Sequence, residues 1–301
     1  MDKWFVGVIA LLIVLIIALI YGVSNANNNS NAKNVAVIPI EGPIMSNKQV
    51  GLLTSKVAAS DEIIQLINEA KKDKTIQGVI FKINSPGGTV VGSKEIGNAI
   101  KKLGKPSVSV IREVGASGGY WIASATDYII ADEMSITGSI GVVGAGLEFS
   151  GLMEKYGVAY NRLIAGEFKD TGTPYREMTD EEKSIMLGKL ALIHDAFIKE
   201  IASNRNMSYD AVKKVANGEF YLGVQAKEFG LIDSFGGIED GREYMKSKLN
   251  ATSVKLLEKK SKTGLLNALT SAFFEGMFFI GKGISSGFSE INYANNEIML
   301  I

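Results

Sequence analysis

Short apolar runs alternate with longer amphipathic stretches through the middle of this 301-residue sequence. A short apolar run bounded by glycine, proline or polar residues is typical of a buried strand. Such runs occur at residues 35–40, 78–83, 107–111, 128–131 and 160–164. Strands that alternate with helices at this interval predict parallel βαβ units, and therefore an α/β fold.

The stretches between these runs have helical spacing. We predict helices at residues 60–72 and 93–103, with Ser60 as the cap of the first. The longest helix is predicted at Thr179–Asn204, because Thr179 and Glu182 have the spacing of a capping box. Its expected apolar stripe consists of Met186, Leu190, Ile193, Phe197 and Ile201.

The N-terminal end of the chain differs from this body. Residues 4–23 are uncharged, and as a helix they would span about 30 Å, the thickness of a hydrocarbon core. We predict a transmembrane anchor at 4–23 after a short cytoplasmic end at 1–3. A cleaved signal peptide is the alternative, because residues 24–26 resemble a cleavage site. The few flanking basic residues favour a body outside the cytoplasm.

Three further regions follow the anchor. Residues 24–34 are rich in Asn and Ser and predict a flexible tether. Residues 35–254 form the predicted main domain. Residues 255–301 form an apolar extension in which Glu275 interrupts the apolar stretch, and a charge in a bilayer costs about 2.5 kcal/mol or more. We therefore expect the extension to lie on the membrane, to pack against a sister subunit or to cover the candidate site, with an ordinary core helix as the alternative.

Composition excludes several kinds of chemistry. The 32 basic and 32 acidic residues balance, which gives no indication of a nucleic-acid partner. The absence of cysteine excludes disulfides, a thiol nucleophile and cysteine-bound zinc. His194 is the only histidine, so a multi-histidine metal site is excluded, and we expect neither a metal nor a cofactor. Because His194 lies beside the apolar stripe of a predicted helix, we interpret it as structural.

One serine lies among residues with minimal side chains. Ser117 is flanked by Ala116 and Gly118, at the carboxyl end of a predicted strand and the start of a helix. Active sites of parallel sheets form at such ends. An exposed serine there can act as a nucleophile, and the N–H that follows it can bind an oxyanion. A glycine- and serine-rich turn with no catalytic role is the alternative.

A serine nucleophile needs a base. Lys169 follows an aromatic residue in a glycine-flanked loop after a predicted strand, and burial can lower the pKa of a lysine enough for that role. An ordinary surface lysine is the alternative. We expect the neighbouring Asp170 to point away, because its charge would oppose deprotonation. Ser85 is a rival nucleophile, although Pro86 after it offers no N–H.

Five motifs occur in order along the chain. They are Asn84-Ser-Pro-Gly-Gly88, Ala116-Ser-Gly-Gly-Tyr-Trp121, Thr137-Gly-Ser-Ile-Gly141, Lys169-Asp170 and Arg176-Glu-Met-Thr179. From about residue 35 to residue 237, the sequence resembles the signal peptide peptidase A family of serine proteases. The resemblance implies an α/β fold of the Clp/crotonase-like type, built from repeated ββα and βαβ units, behind one N-terminal transmembrane helix.

The resemblance also implies roles for five residues. Ser117 corresponds to the nucleophile, Lys169 to the general base, and Ser139 to a serine that orients the lysine. Gly88 and Gly118 correspond to the donors of the oxyanion hole. A tight turn without catalytic function is the alternative for the segment around Ser139.

The family further implies a membrane-anchored endopeptidase. Its expected substrates are cleaved signal peptides and other membrane-proximal or unfolded polypeptides, and its expected assembly is a homo-oligomeric ring or dome. The expected location is the bacterial cell membrane, with a single span and an extracytoplasmic catalytic domain. Two alternatives are a crotonase-type acyl-CoA enzyme and a non-catalytic membrane scaffold of the same fold.

Overall fold

A computed structural model describes residues 11–19, 31–47 and 57–259. Residues 11–19 are helical (α1) and form the part of the predicted anchor that is described. The rest of the anchor prediction, most of the tether and residues 260–301 of the predicted extension lie outside the described residues. Within the described ranges, no helix combines the length and the apolarity needed to cross a membrane.

A largely parallel sheet forms the centre of the fold. Its main strands are β1 (Ala32–Glu41), β4 (Ile76–Ser85), β5 (Ser107–Ala116), β6 (Tyr128–Ala131), β9 (Ser234–Phe235) and β10 (Ser253–Glu258). They lie in the order β10-β1-β4-β5-β6-β9, and every neighbouring pair is parallel. The predicted α/β class with a parallel sheet is confirmed.

Four shorter strands complete the pairing. They are β2 (Ile44–Met45), β3 (Ala58–Ala59), β7 (Ile136–Gly138) and β8 (Phe220–Leu222). The first two pair with each other in a separate parallel ladder. Strand β7 pairs parallel with the end of β5 and antiparallel with β8. The end of β5 therefore remains hydrogen-bonded up to residue 116, directly before the candidate serine.

Helices cover both faces of the sheet. They are α2 (Ser60–Lys72), α3 (Val90–Lys101), α4 (Gly118–Ser124), α5 (Ser150–Lys155), α6 (Asp180–Arg205), α7 (Tyr209–Val215), α8 (Gly223–Glu228) and α9 (Ile238–Lys248). Alternate strand residues enter two separate cores, as the period of two requires. Ile38 and Phe81 pack in the larger core with α2 and α3, whereas Val37 and Ile80 pack in the smaller core with Met245 of α9. Burial on both faces explains why the strands read as continuous apolar runs.

Several predicted elements agree with the structure, and others do not. The predicted runs at 35–40, 78–83, 107–111 and 128–131 lie within β1, β4, β5 and β6. The predicted strand at 160–164 is wrong, because those residues are exposed and have no strand pairing. Strand β1 begins at Ala32, within the predicted tether at 24–34, and β10 extends to Glu258, beyond the predicted domain end at 254.

The helix predictions need two corrections. The capping box of α6 is confirmed, with Thr179 as its cap and Glu182 as its third residue. Ser60, in contrast, is the first residue of α2 and not its cap, and its hydroxyl donates to Glu95. Of the five residues in the predicted stripe of α6, two are buried (Phe197 and Ile201), two are half-buried (Leu190 and Ile193) and one is exposed (Met186). Towards the start of the helix the apolar side chains lie at the surface, and Leu187 and Leu192 beside the stripe are 65% and 73% exposed.

Candidate active site

Ser117 lies at the sharp turn between β5 and α4. Its backbone has φ 52° and ψ −121°, a conformation that costs a non-glycine residue on the order of 1–3 kcal/mol. Its N–H donates to the Gly138 carbonyl at 2.8 Å, and its carbonyl accepts from the Trp121 N–H at 2.9 Å. These two bonds hold the turn in its strained form. The half-buried side chain is thereby presented at the carboxyl end of the central strand.

The loop after β4 lies against this turn. The Ile44 N–H donates to the Gly87 carbonyl at 2.8 Å, and the Thr89 N–H donates to the Ile44 carbonyl at 2.9 Å. A Cβ on Gly88 would lie 2.0 Å from the Ile44 oxygen, so this close approach requires glycine. Ser85 is fully buried, and its hydroxyl accepts from the Gly87 N–H at 3.1 Å. Ser85, the alternative nucleophile, is therefore a buried residue that stabilises the loop after β4.

The backbone nitrogens of Gly88 and Gly118 lie near each other and near Ser117. A Cβ on Gly118 would be 3.3 Å from the Gly88 nitrogen, and a Cβ on Gly87 would be 2.7 Å from the Gly118 nitrogen and 2.9 Å from the Ser117 Cβ. Gly118 is the first residue of α4, where N–H groups have no intrahelical acceptor. Two backbone donors beside a serine can bind the oxyanion of an acyl-transfer reaction.

A cavity of about 120 Å³ opens beside this serine. Trp121 and Phe197, which are both buried and whose rings stack at 4.5 Å, form one part of its wall. Its lining residues are Gly88, Val90, Ser93, Ser117, Gly118, Trp121, Gly141, Val142, Val143, Ile193 and Phe197. Because most of these side chains are apolar, the cavity suits an apolar side chain of a substrate.

Within the described part of the chain, neither Ser139 nor Lys169 lines this cavity, and the two residues lie in different segments. Ser139 follows Gly138, the acceptor of the Ser117 N–H, so the two serines belong to adjoining segments. Ser139 has φ 50°, and its hydroxyl donates to the Gly218 carbonyl at 3.2 Å. Lys169 lies in an exposed turn in which its N–H donates to the Gly166 carbonyl at 3.1 Å. The described residues that line the cavity include Ser117, Gly88 and Gly118 but not Lys169.

Asp170, next to Lys169, is bound by two arginines. Arg162 donates from Nε and Nη2 at 2.7 and 2.8 Å, and Arg176 donates from Nε and Nη2 at 3.1 and 2.8 Å. These hydrogen bonds hold the pKa of Asp170 well below its ordinary value. Arg176 also binds Glu182, and that contact, with the Thr179 N–H, lowers the pKa of Glu182 to about 2.

The sequence predicts no role for Arg162, and for Glu182 it predicts only a place in the capping box of α6. The signals available were the Arg176–Thr179 motif and the capping box, both within six residues of Glu182. Neither pattern predicts that Arg176 connects the turn of Lys169 to helix α6. Both oxygens of the Asp170 carboxylate accept hydrogen bonds from the two arginines.

His194 contacts the backbone near the cavity. Its Nε2 lies 3.2 Å from the Ile140 carbonyl, and the ring is half-buried on α6. This contact fastens α6 to the segment after Ser139. Among residues 11–19, 31–47 and 57–259, no three His, Asp or Glu side chains come together in a group that could hold a metal ion.

A parallel α/β fold with a serine on a strained strand-to-helix turn, two backbone donors and an apolar cavity defines a serine hydrolase type of site. The model of peptidase family S49 matches residues 99–252, about half of the chain. The chain belongs to this family and is a serine peptidase of the signal peptide peptidase A type.

Curated relatives agree with this assignment. A candidate protease of Methanocaldococcus jannaschii is 32% identical over 84% of this chain and 80% of its own length. A candidate signal peptide peptidase SppA of Enterococcus faecium is 34% identical over 77% of this chain and 68% of its own length. Protease 4 of Haemophilus influenzae is 31% identical over 68% of this chain and 33% of its own length.

Proposed function

We propose that the protein is a membrane-anchored endopeptidase that uses a Ser117–Lys169 dyad. The observation that supports this proposal best is the strained turn of Ser117, which presents the hydroxyl beside the Gly88 and Gly118 nitrogens at an apolar cavity. The Gly88 and Gly118 N–H groups can bind the oxygen of a peptide carbonyl, and the Ser117 hydroxyl can attack its carbon. What it needs in addition is a base.

Neutral Lys169 accepts the Ser117 proton while the serine oxygen attacks the peptide carbonyl. The Gly88 and Gly118 N–H groups bind the oxyanion that forms. The C–N bond then breaks, the lysine gives its proton to the leaving amine, and an acyl-enzyme remains on Ser117. Water adds to this ester by the same route, with Lys169 as base, and releases the new carboxyl terminus. In this scheme Ser139 orients the lysine.

The lysine must come within hydrogen-bond distance of the serine, and we propose that it does so from a neighbouring copy of the chain. Residues 143–168, which lead to Lys169, are almost entirely exposed although many are apolar. Val143 is 84% exposed and Leu163 is 95% exposed. The first half of α6 is similarly uncovered, with Leu192 at 73%. Apolar surface of this extent is typical of a protein interface, and a homo-oligomer in which each exposed arm reaches the next subunit would cover it.

The apolar cavity favours substrates with an apolar side chain at the cleaved bond. Signal peptides are apolar, and the Enterococcus faecium relative carries the name of a signal peptide peptidase. Together with the uncharged stretch at residues 4–23, this supports a protease that is held at the bacterial membrane by one helix, with its catalytic domain outside the cytoplasm. Signal peptides and unfolded polypeptides near that membrane are its proposed substrates.

Co-expression of two inactive variants tests the shared site. Ser117→Ala and Lys169→Ala chains, mixed equally in one oligomer, should regain about a quarter of wild-type peptidase activity, because a quarter of the sites receive an intact serine and an intact lysine. Wild type mixed equally with the Ser117→Ala/Lys169→Ala double variant is the matched control, and it should give the same fraction. If each chain uses its own lysine, the first mixture stays inactive and the control keeps half, which contradicts the shared site.

A further inference from the structure

The turn that carries Lys169 is fastened to α6 through one arginine. Arg176 forms paired hydrogen bonds to Asp170 on one side and to Glu182 on the other, the latter at 2.8 and 2.6 Å. The Asp170 side chain is only 11% exposed and that of Glu182 only 3%. We call Arg162, Asp170, Arg176 and Glu182 the arginine clasp.

Glu182 connects the clasp to the rigid part of the fold. Its carboxylate also accepts from the Thr179 N–H at 2.9 Å and from the Thr171 hydroxyl at 3.0 Å. Thr179 is the cap of α6, and the opposite end of that helix packs in the main core through Ile201. Planar, paired contacts of a guanidinium with two carboxylates fix direction as well as distance. The clasp therefore determines where the turn that follows Lys169 can lie.

The clasp also balances charge beside the lysine. Its two arginines and two carboxylates sum to zero. A second cavity, of about 440 Å³, lies beside the clasp. The charged side chains that bind Asp170 or line this second cavity are Arg162, Glu167, Arg176, Glu177, Glu181 and Glu182. Acidic groups already outnumber basic groups in this set, so the loss of one arginine would make the turn more negative. A negative charge near an amine favours its protonated form.

We propose that Arg176 is a positioning residue for the peptidase reaction, which holds the Lys169 turn in place and offsets the Asp170 charge so that the lysine can be neutral when it acts. This inference rests on the proposed role of Lys169 as the base. It assigns a function to a residue that touches neither the serine nor the cavity.

The test is the pH dependence of kcat/KM for full-length variants on an unstructured peptide. Arg176→Gln should move the midpoint of the rise with pH upward by about half a pH unit or more, since a carboxylate loses its partner. It should also lower the value at neutral pH by about tenfold or more through misplacement of the turn. Arg176→Lys keeps the charge and should restore the midpoint without the full rate. Asp170→Asn should move the midpoint downward, and Asp170→Asn added to Arg176→Gln should return it towards the wild-type value.

Arg205→Gln is the matched control. Arg205 pairs with Asp233 in the same paired manner at the other end of α6, about 37 Å from its start for a helix of this length. It should lower stability and leave the pH midpoint unchanged. The inference is overturned if Arg176→Gln keeps the wild-type profile, or if Arg205→Gln shifts it equally.

The activity of Lys169→Ala separates a failure of the proposed function from a failure of the role given to the clasp. If Lys169→Ala stays active in the same assay, the proposed function itself fails. If Lys169→Ala is inactive while Arg176→Gln behaves as wild type, only the role of the clasp fails. Should Arg176→Gln not fold, the midpoint of the folded Asp170→Asn variant decides, since an unchanged midpoint contradicts charge balancing at this turn.

Discussion

Replacement of Lys169 by alanine should lower kcat/KM for an unstructured peptide by about 10³-fold or more, and Ser117→Ala should have an effect at least as large. The serine has no other proposed base, and without deprotonation its hydroxyl is a weak nucleophile. Lys169 is exposed, and among the described residues its hydrogen bond is the one from its backbone N–H to the Gly166 carbonyl, so its replacement by alanine should leave the fold unchanged. Steady-state kinetics with a thermal melt of each variant measures both parts.

Lys199→Ala is a suitable control for this experiment. Lys199 is also an exposed lysine and pairs with Asp195 on the surface of α6. Its loss should change activity little. The dyad is contradicted if Lys169→Ala keeps its rate within tenfold of wild type while His194→Ala abolishes it.

Gly88→Ala should reduce the rate by 10²-fold or more and should also destabilise the protein. The added Cβ would lie 2.0 Å from the Ile44 carbonyl oxygen, which is backbone and cannot rotate away. The loop must therefore shift, and with it the Gly88 N–H, and the loss of one oxyanion donor costs about 10²–10³ in rate. The effect should fall on kcat, because the oxyanion forms only during the reaction.

Gly237→Ala is the control for this substitution. Gly237 lies before α9, has an extended backbone at φ −133°, and an added Cβ would meet nothing within 4 Å. Its replacement should leave kcat unchanged. A Gly88→Ala variant with a normal kcat and normal stability would show that this nitrogen takes no part in the reaction.

The sequence predicts the central strands because a strand that is buried on both faces has an uninterrupted run of apolar residues. Residues 78–83 read as one apolar run since Phe81 and Ile80 enter different cores from the same strand. Ser117 stands out as a candidate nucleophile for a different reason, because the residues around it have minimal side chains. Gly88 and Gly118 have a local steric cause, because a Cβ at either position would lie too close to a neighbouring residue.

Exposed apolar residues explain the failures. Tyr160 and Ile164 gave the signal of a buried strand, yet they lie in an exposed segment of this chain. Apolar periodicity reports that a surface is covered but does not say by what. The first half of α6 is a second example, because its apolar stripe predicts burial that the structure does not have there. The place of Lys169 relative to Ser117 could not be predicted either, because the two residues lie in different loops and local patterns carry no information about how distant segments pack.

Covalent labelling of the full-length protein with a serine-directed fluorophosphonate, followed by mass spectrometry of its peptides, tests the central claim most directly. Wild type should carry the label on Ser117, and Lys169→Ala should be labelled far more slowly, since the same base activates the serine for both reactions. Label on Ser85 or Ser139 instead, or efficient peptide hydrolysis by an enzyme that leaves Ser117 unlabelled, would contradict the account. A complete lack of both labelling and hydrolysis would favour an acyl-CoA enzyme or a scaffold of the same fold.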